Sequence, residues 1–439
     1  MIVINNYNNY KLRENKKNVC ESYIIPASMF GKKTRLKGIL VCSSNRLKKE
    51  NGAKSNLMKM LPCSYTKGGE FGQRELLEAI SYDDVDKVRR YIKEKNVCPC
   101  FVLEGYSPIC VASERGNIDV LNMLIEANCD LAQPDFTDHI WFRRPIHIAA
   151  AKGHLNYVQA LLKVGVDVDC RDGDEKTALH WASTHGHVQI AEYLIRMGAS
   201  VNIAQMDRFT PLHAATCLGH LDICELLIRY GAKVDMVDRD GWAPIHTSTC
   251  YGYIKVVEML IRVSADINRT TNDNETALHI AASCGHLHIV KLLVSCGIDV
   301  EGQTLHGFTA FHLAVYHNRY EVAKYLITEN VKLNTANNAG HSPLYTATLR
   351  ADSKMIKLLV HSGYNVNSES WLRLKNPPFR VSPHEEVMLW LLELVGNPKS
   401  LTDICALTIR QQLGRRLDKV NDLNLPTQLK ELISFDFLR

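Results

Sequence analysis

The sequence has no apolar run long enough to cross a membrane, and its opening stretch, "MIVINN", is too short for a signal peptide. Aromatic residues make up only 8% of the 439 residues, but hydrophobic residues as a group reach 46%, so most of the chain is expected to fold around a core. These features argue against a membrane protein. We expect a protein of the cytoplasm, with the nucleus as a second location.

The sequence also lacks the signatures of metal sites and of catalysis. Fourteen cysteines are scattered along the chain and never form C-x-x-C, so we expect buried, reduced thiols rather than zinc ligands or disulfides. The motifs G-x-x-x-x-G-K-[ST], H-E-x-x-H, G-x-S-x-G and the kinase H-R-D set are absent. We therefore predict a protein that binds rather than catalyses, with no cofactor.

Positive charge is concentrated at one end of the chain. Residues 1–70 contain fourteen Lys and Arg against four Glu, a balance of +10, although the whole chain carries only +5. Such a segment could contact nucleic acid or anionic lipid. It lacks interleaved aromatic residues, so we favour a solvated arm without fixed structure and do not expect nucleic-acid binding.

Between residues 72 and 396 the sequence repeats itself. Small residues, usually a Gly-His pair and often a Leu-Leu pair follow each copy of one short motif, as expected for two closely packed helices. One such unit cannot bury its apolar face alone, so neighbouring units must stack. With a constant step of 33 residues, the copies are "RPIH" (144–147), "TALH" (177–180), "TPLH" (210–213), "APIH" (243–246), "TALH" (276–279), "TAFH" (309–312) and "SPLY" (342–345).

This pattern resembles the ankyrin repeat, which has a T-P-L-H helix start and a Gly-His step between two helices. The resemblance implies an all-α solenoid. We expect nine full units, of which the first begins with "RELLEAI" at Arg74. A truncated tenth unit ends at Gly396, and in it the proline-containing stretch "NPPFRVSP" replaces the first helix.

The eighteen histidines suggest a metal site, but their spacing favours a structural role. Residues that recur every 33 positions serve the fold, here by hydrogen bonding the backbone of neighbouring units. The close cluster of Cys284, His286 and His288 lacks a fourth ligand, so we predict no metal site. One recurring set is His147, His180, His213, His246, His279 and His312, and the other is His154, His187, His220 and His286.

A different pattern follows the repeats. In "SLTDICALTI" (400–409), Leu401, Cys405 and Ile409 stand at i, i+4 and i+8 and form a narrow apolar stripe on one helix. A core helix would show the same stripe, but no ankyrin neighbour remains for it to cover. With Ser400, these residues are similar to the Elongin-binding pattern of the SOCS box, S/T-L-x-x-x-C-x-x-x-I/V/L. The resemblance implies that Leu401 and Cys405 enter a pocket on Elongin C, with Elongin B alongside.

The predicted SOCS box covers residues 397–439 and includes a cullin-selecting element, which in the family is usually L-P-x-P. Here it reads "LNLP", with Asn424 where the first proline is expected. That departure puts the choice and strength of the cullin contact in question. The resemblance implies a cullin of the cullin-five type, with its RING protein, bound through Leu423, Leu425, Pro426 and Leu429.

Ankyrin repeats followed by a SOCS box resemble the ankyrin repeat and SOCS box family. The resemblance implies a substrate receptor, whose repeats hold a target protein and whose box joins a cullin–RING ubiquitin ligase, so that the target is ubiquitinated and degraded by the proteasome. Two other functions stay open. One is a scaffold or signalling adaptor that binds the Elongins without substrate turnover, and the other is a chromatin-bound regulator that uses the basic arm.

Large aromatic residues predict the target surface. Phe209, Trp242 and Phe308 each stand just before a repeat motif, and Tyr251 and Tyr316 lie near the end of a first helix. Together they predict a neutral, aromatic-rimmed groove for an extended peptide or a helix. The alternative is that the three residues before the motifs fold against the next loop and only stabilise the solenoid.

Asn268 is a candidate for hydroxylation. Leu260 lies eight residues before it and Asp266 two residues before it, which is the spacing seen in ankyrin asparagines that are hydroxylated. The alternative is an asparagine that only bridges the turn.

Overall fold

The computed structural model describes residues 69–103, 105–135, 142–350, 352–373 and 391. Over these residues the protein is a succession of helix pairs, and extended pairing is limited to one isolated bridge between Leu103 and Tyr106. The predicted all-α class is confirmed. The basic arm up to residue 68, the SOCS box and the predicted tenth unit beyond residue 373, except Leu391, lie outside the described residues.

Each unit contributes a first and a second helix, and the helices are named here in chain order. They are α1 (Gly69–Ser81), α2 (Val85–Arg89, continued by the π-helical turn Arg90–Glu94), α3 (Pro108–Arg115), α4 (Ile118–Glu126), α5 (Pro145–Lys152), α6 (Leu155–Lys163), α7 (Ala178–His185), α8 (Val188–Arg196), α9 (Pro211–Leu218), α10 (Leu221–Arg229), α11 (Pro244–Cys250), α12 (Ile254–Arg262), α13 (Ala277–Cys284), α14 (Leu287–Ser295), α15 (Ala310–Tyr316), α16 (Tyr320–Thr328), α17 (Pro343–Leu349), α18 (Ser353–His361), the 3-10 turn Val366–Ser368 and α19 (Ser370–Arg373).

Helix α9 shows how the repeat motif starts and stops a first helix. Thr210 is the N-cap, and its backbone N–H donates to Nδ1 of His213 at 3.2 Å while its hydroxyl accepts from the His213 N–H at 3.4 Å. Pro211 occupies the first turn, where its missing N–H costs nothing. Gly219 ends the helix with φ of 73°, and a Cβ there would come within 2.6 Å of the Tyr253 ring. Gly219 is therefore required both for the turn and for close packing.

The core runs continuously from unit to unit. Each first helix contacts the first helix of the next unit as well as its own second helix. Small alanines on the first helices allow this close approach, and leucines of the second helices fill the space behind them. Fully buried positions include Ala149, Ala182, Ala215, Ala281 and Ala314 on first helices, and Leu161, Leu194, Leu227, Leu260, Leu293 and Leu326 on second helices.

The loop before each first helix, called the finger here, is joined to the next finger by its backbone. The same donor and acceptor positions recur at five successive junctions, so these fingers form a continuous row. The N–H to carbonyl bonds are Met206 to Asp174 (3.1 Å), Arg239 to Asp207 (2.8 Å), Asn272 to Asp240 (3.1 Å), Leu305 to Asp273 (2.9 Å) and Asn338 to His306 (3.0 Å). Among the described helices, none is long and apolar enough to cross a membrane.

Candidate functional site

The first set of recurring histidines joins each unit to the next one. In His180, Nδ1 accepts from the backbone N–H of Thr177 at 3.1 Å, so Nε2 carries the proton and donates to the carbonyl oxygen of Phe209 at 3.1 Å. Burial lowers the pKa of His180 to about 3, so the ring is neutral. His213 makes the equivalent bond to Trp242 (3.0 Å). The other four histidines of this set also reach the next unit, but at a carbonyl oxygen 23 rather than 29 residues further along: His147 to Cys170, His246 to Arg269, His279 to Gly302 and His312 to Thr335, each at 2.9 Å.

The second set joins each unit to the one before it. His187, for example, places Nε2 at 2.9 Å from the carbonyl oxygen of Ala151. Arg319 stands at the same repeat position and also bonds the backbone of the preceding unit, since its Nε donates to the carbonyl oxygen of Ser283 at 2.9 Å. The predicted structural role of the histidines is confirmed. In the described part of the chain, no group of three or more His, Cys, Asp or Glu side chains has the arrangement of a metal site.

Trp242 does not face solvent, and the expectation of an exposed anchor at this position is wrong. Only 8% of the residue is exposed. Its ring packs edge-on against His246, with centroids 6.2 Å apart, and its backbone N–H donates to Oδ1 of Asp238 at 2.8 Å. Trp242 is buried because its ring packs against the histidine of its own unit, where it adds to the buried surface. The alternative interpretation, a stabilising residue, fits Trp242.

The other four aromatic residues of the predicted surface are half-buried. Phe209 packs on His213, with ring centroids 5.1 Å apart. Phe308 and Tyr316 contact each other at 6.3 Å between centroids, so a finger residue and a first-helix residue share one surface. Tyr251 is likewise half-buried. Their rings are accessible in part, and their role in target binding stays a prediction.

The surface is not neutral where Tyr316 lies, contrary to the sequence-based expectation. The guanidinium of Arg350, from the next unit, is 4.4 Å from the centre of the Tyr316 ring. Arg350 was missed because it lies one unit beyond the residues considered in the sequence. A partner at this end of the surface therefore meets a cation beside an aromatic ring.

Three exposed apolar residues also belong to this surface and escaped the sequence analysis. Met206 and Leu305 occupy the same finger position in two units and are 52% and 58% exposed, and Leu218 at the end of α9 is 39% exposed. At the finger position the intervening units carry Arg239 and Asn272. The sequence signal for Met206 and Leu305 is therefore an apolar residue at a repeat position that is polar in the intervening units.

Asn268 bridges two units. Its own N–H donates to Oδ1 of Asp266 at 3.0 Å, and its side-chain oxygen accepts from the N–H of Asp299 at 3.5 Å. The residue is exposed. These bonds are those of a turn-bridging asparagine, and hydroxylation stays a prediction. The predicted Elongin-binding residues Ser400, Leu401, Cys405 and Ile409 and the predicted cullin-binding residues Leu423, Leu425, Pro426 and Leu429 all lie outside the described residues.

Comparison with known proteins gives matches to three family models. The model described as ankyrin repeats (3 copies) matches residues 131–205, 203–271, 261–337 and 302–370, which together span more than half of the chain. A single ankyrin repeat matches residues 104–137. The SOCS box model matches residues 397–434, which is where the sequence places this box.

Curated relatives agree with these matches. Ankyrin repeat and SOCS box protein 5 of Oryctolagus cuniculus and that of Homo sapiens are each 30% identical over 95 residues. The matched part is 21% of this chain and only 29% of the length of each relative. The crystal structure of the human ASB11 ankyrin repeat domain aligns with 29% identity and a TM-score of 0.47, over 50% of this chain and 98% of that one.

The repeats and the box occur in one chain, in that order. The ankyrin model covers residues 131–370, and the SOCS box model begins 27 residues further along, at residue 397. The rabbit and human relatives described above carry the same two modules in their names. The chain belongs to the ankyrin repeat and SOCS box family.

Proposed function

We propose that the protein is the substrate-recognition subunit of an Elongin B/C–cullin–RING ubiquitin ligase. The observation that carries the proposal is the SOCS box at residues 397–434, directly after the ankyrin repeats. The ankyrin repeats hold the target, and the box binds Elongins B and C and, through them, a cullin of the cullin-five type. The RING protein and its ubiquitin-conjugating enzyme perform the transfer. This protein is an adaptor that supplies proximity rather than catalysis.

The target surface is the face that carries the finger residues and the ends of the first helices. Phe209, Phe308 and Tyr316 offer half-buried rings, and Met206 and Leu305 offer exposed apolar side chains. Partly buried aromatic residues lose little conformational entropy on binding, so they contribute much of the affinity of an interface. We infer a target segment with apolar anchors, in an extended or helical conformation.

The test is co-purification of the full chain with Elongins B and C and with the cullin, followed by an assay of target ubiquitination. The Leu401→Pro and Cys405→Phe double variant should lose the Elongins, because proline breaks the helix start and phenylalanine overfills the pocket. Cys296→Phe is the matched control, since Cys296 is an exposed thiol in the repeats. Full Elongin recovery by the double variant would contradict the proposal.

The same experiment separates the alternatives. Stoichiometric Elongins with a cullin support a ligase subunit, whereas Elongins without a cullin support a scaffold. Salt-sensitive retention of nucleic acid would support a chromatin-bound regulator acting through residues 1–70. An Asn424→Pro variant, which restores the usual L-P-x-P start, should bind the cullin at least as well as the native chain.

A further inference from the structure

Two cysteines from neighbouring units meet on the face that carries the first-helix ends. Cys250 is the last residue of α11 and Cys284 the last residue of α13, and these two helices are in contact. The two thiols lie close enough for each to shift the pKa of the other. Both are free thiols with partly exposed side chains, so small reagents can approach them.

The imidazole ring of His286 is held beside Cys284. Its Nε2 is 3.1 Å from the carbonyl oxygen of Cys250, and its ring lies close enough to Cys284 for the two side chains to shift each other's pKa. The bond to Cys284 raises the pKa of His286, so the ring carries a positive charge more readily than an ordinary histidine. His286 therefore connects the backbone of one cysteine to the side chain of the other.

Arg319 brings a permanent cation to the same place. Its Nε donates to the carbonyl oxygen of Ser283 at 2.9 Å, which holds the guanidinium over the turn that follows α13. Gly285 leaves room for it, because a Cβ at this position would lie 2.7 Å from Cδ of Arg319. His286 and Arg319 stand at the same repeat position 33 residues apart, and both lower the pKa of Cys284.

The contact between the two thiols, with His286 and Arg319 beside Cys284, separates the pKa values of the two cysteines. A helix carboxyl end disfavours a thiolate, and both cysteines stand at one. The hydrogen bond from Cys250, followed by the bond to His286, lowers the pKa of Cys284 to about 5 despite burial. The same thiol–thiol bond raises the pKa of Cys250, whose charged neighbours include Glu275 rather than an arginine. These two shifts favour Cys284 as the thiol that ionises and Cys250 as the thiol that keeps its proton.

We propose that Cys284 is a peroxide-reactive thiolate and that Cys250 is its resolving thiol, so that oxidation links two neighbouring ankyrin units by a reversible disulfide. The Cys284 thiolate attacks one oxygen of hydrogen peroxide, the O–O bond breaks, and hydroxide leaves. The sulfur is thereby oxidised to a sulfenic acid as the peroxide is reduced. The Cys250 thiol then attacks this sulfur, the S–O bond breaks, and water leaves with the thiol proton. A dithiol restores both thiols.

The first experiment measures the alkylation rate of each cysteine in the native full-length chain between pH 6 and pH 8, with iodoacetamide and peptide mapping. Lys and Arg cleavage separates Cys250, Cys284 and Cys296 into different peptides. The Cys284 rate should change less than about twofold, whereas the rate of an ordinary thiol rises roughly 70-fold over this range. Cys296, an exposed thiol, is the internal reference. A Cys284 rate that rises in parallel with that of Cys296 would overturn the proposal.

Two variants test the cations against a matched control. His286→Gln should make the alkylation rate of Cys284 more dependent on pH, and Arg319→Gln should do so to a smaller extent, because Arg319 contributes less to the lowered pKa of Cys284. His220→Gln removes the equivalent backbone bond, in which Nε2 of His220 lies 3.0 Å from the Thr184 carbonyl oxygen. Around His220, the positions that correspond to Cys250 and Cys284 are occupied by Thr184 and Leu218. His220→Gln should leave the Cys284 profile unchanged. An effect of His220→Gln equal to that of His286→Gln would mean that general loosening, not charge, controls the thiol.

The second experiment treats the native chain with hydrogen peroxide and maps its peptides. The Cys250 and Cys284 peptides should be recovered as one linked species that a dithiol separates. In Cys250→Ser, Cys284 should instead be trapped by dimedone as a sulfenic acid. Cys217→Ser, which changes a partly exposed cysteine one unit earlier, should still form the link. Recovery of unlinked Cys284 sulfenic acid from the native chain would show that Cys250 does not resolve it.

Discussion

Nε2 of His213 lies 3.0 Å from the backbone carbonyl oxygen of Trp242, in the following unit. The backbone of Trp242 thus receives the bond that joins the two units, while its side chain is 8% exposed and belongs to the core. One residue therefore connects the hydrogen-bonded finger to the packed interior. This double role distinguishes Trp242 from Phe209 and Phe308, which stand at the same repeat position but are half-buried.

Trp242→Ala should destabilise the fold by about 3–5 kcal/mol, because it removes a buried aromatic side chain and leaves a cavity. Target affinity should be unchanged at a temperature where the variant is folded. Urea denaturation and a binding assay on the same preparation measure both quantities. Loss of affinity without loss of stability would restore Trp242 as a target anchor.

Phe209→Ala and Phe308→Ala should behave in the opposite way. Each should weaken target binding by about 2 kcal/mol or more while costing less stability than Trp242→Ala, since both rings are partly exposed and fit the pattern of interface anchors. Calorimetry or surface plasmon resonance with the target gives the affinities. Tyr230→Ala, at an exposed tyrosine after α10, is a control of similar size away from the fingers. Equal binding by all three variants would remove this face from the target surface.

Stability should fall steeply as the pH drops below about 6.5, the ordinary pKa of histidine. Burial lowers the pKa of His180 to about 3 and that of His147, His213, His246 and His312 to about 4, and it also lowers that of His279. The unfolded chain therefore takes up protons that the folded chain excludes, and each histidine removes up to about 1.4 kcal/mol per pH unit between pH 6.5 and pH 4.

Urea midpoints from pH 8 to pH 5 measure this effect, and they should be nearly level above pH 7. Burial raises the pKa of Asp238 to about 6, so its protonation favours the folded state on acidification. Burial also raises the pKa of Asp174, and Cys284 raises that of His286, so these groups act in the same direction as Asp238. Together they oppose the six histidines and reduce the slope. A midpoint that stays constant from pH 6.5 to pH 5 would show that the histidines are not buried in their neutral form.

Insertion of a Gly/Ser linker after Gly396 should lower target ubiquitination while Elongin binding is retained. This prediction depends on the proposed function, and its reason is that a rigid connection holds the target at a fixed distance from the ubiquitin donor. Leu391 is fully buried in the core, so the chain is still packed five residues before the insertion. The expected neighbours Leu389, Trp390 and Leu392 lie outside the described residues. Unchanged ubiquitin transfer would argue against a geometric role.

If Asn268 is hydroxylated, its peptide should be one oxygen atom heavier in mass spectra of the chain purified from cells. The residue is exposed, and the bond that its side chain accepts from Asp299 is long at 3.5 Å, so an enzyme could open this turn at low cost. Asn334, which stands two units later and accepts from Asn365 at 3.2 Å, is the comparison within the same sample. Recovery of only the unmodified Asn268 peptide would contradict the prediction.

Repeat spacing predicts contacts that depend only on the repeat position. The histidines illustrate this, because all six of the first set bond a backbone carbonyl oxygen of the next unit. The exact acceptor varies, since His180 and His213 reach the residue 29 positions on and the other four reach the residue 23 positions on. Spacing failed for Trp242, since three aromatic residues at one position differ in side-chain packing. It also failed for the cysteine pair, because one step from Cys250 leads to Ser283, and only the observed helix contacts bring Cys284 to Cys250. The direction of a side chain depends on the unit that packs against it. A comparison of residues at one repeat position contains no information about that neighbour.

The finger bonds and both sets of histidine bonds join neighbouring units only. A deletion or duplication of one whole 33-residue unit would therefore place an equivalent donor opposite an equivalent acceptor, and the new junction would resemble every other junction. An insertion or deletion of any other length would misalign the finger bonds and both sets of histidine bonds at once. Recombination within such a gene can thus lengthen or shorten the solenoid in whole units. Each event would move one end of the target surface by a single helix spacing, without the need to evolve a new fold.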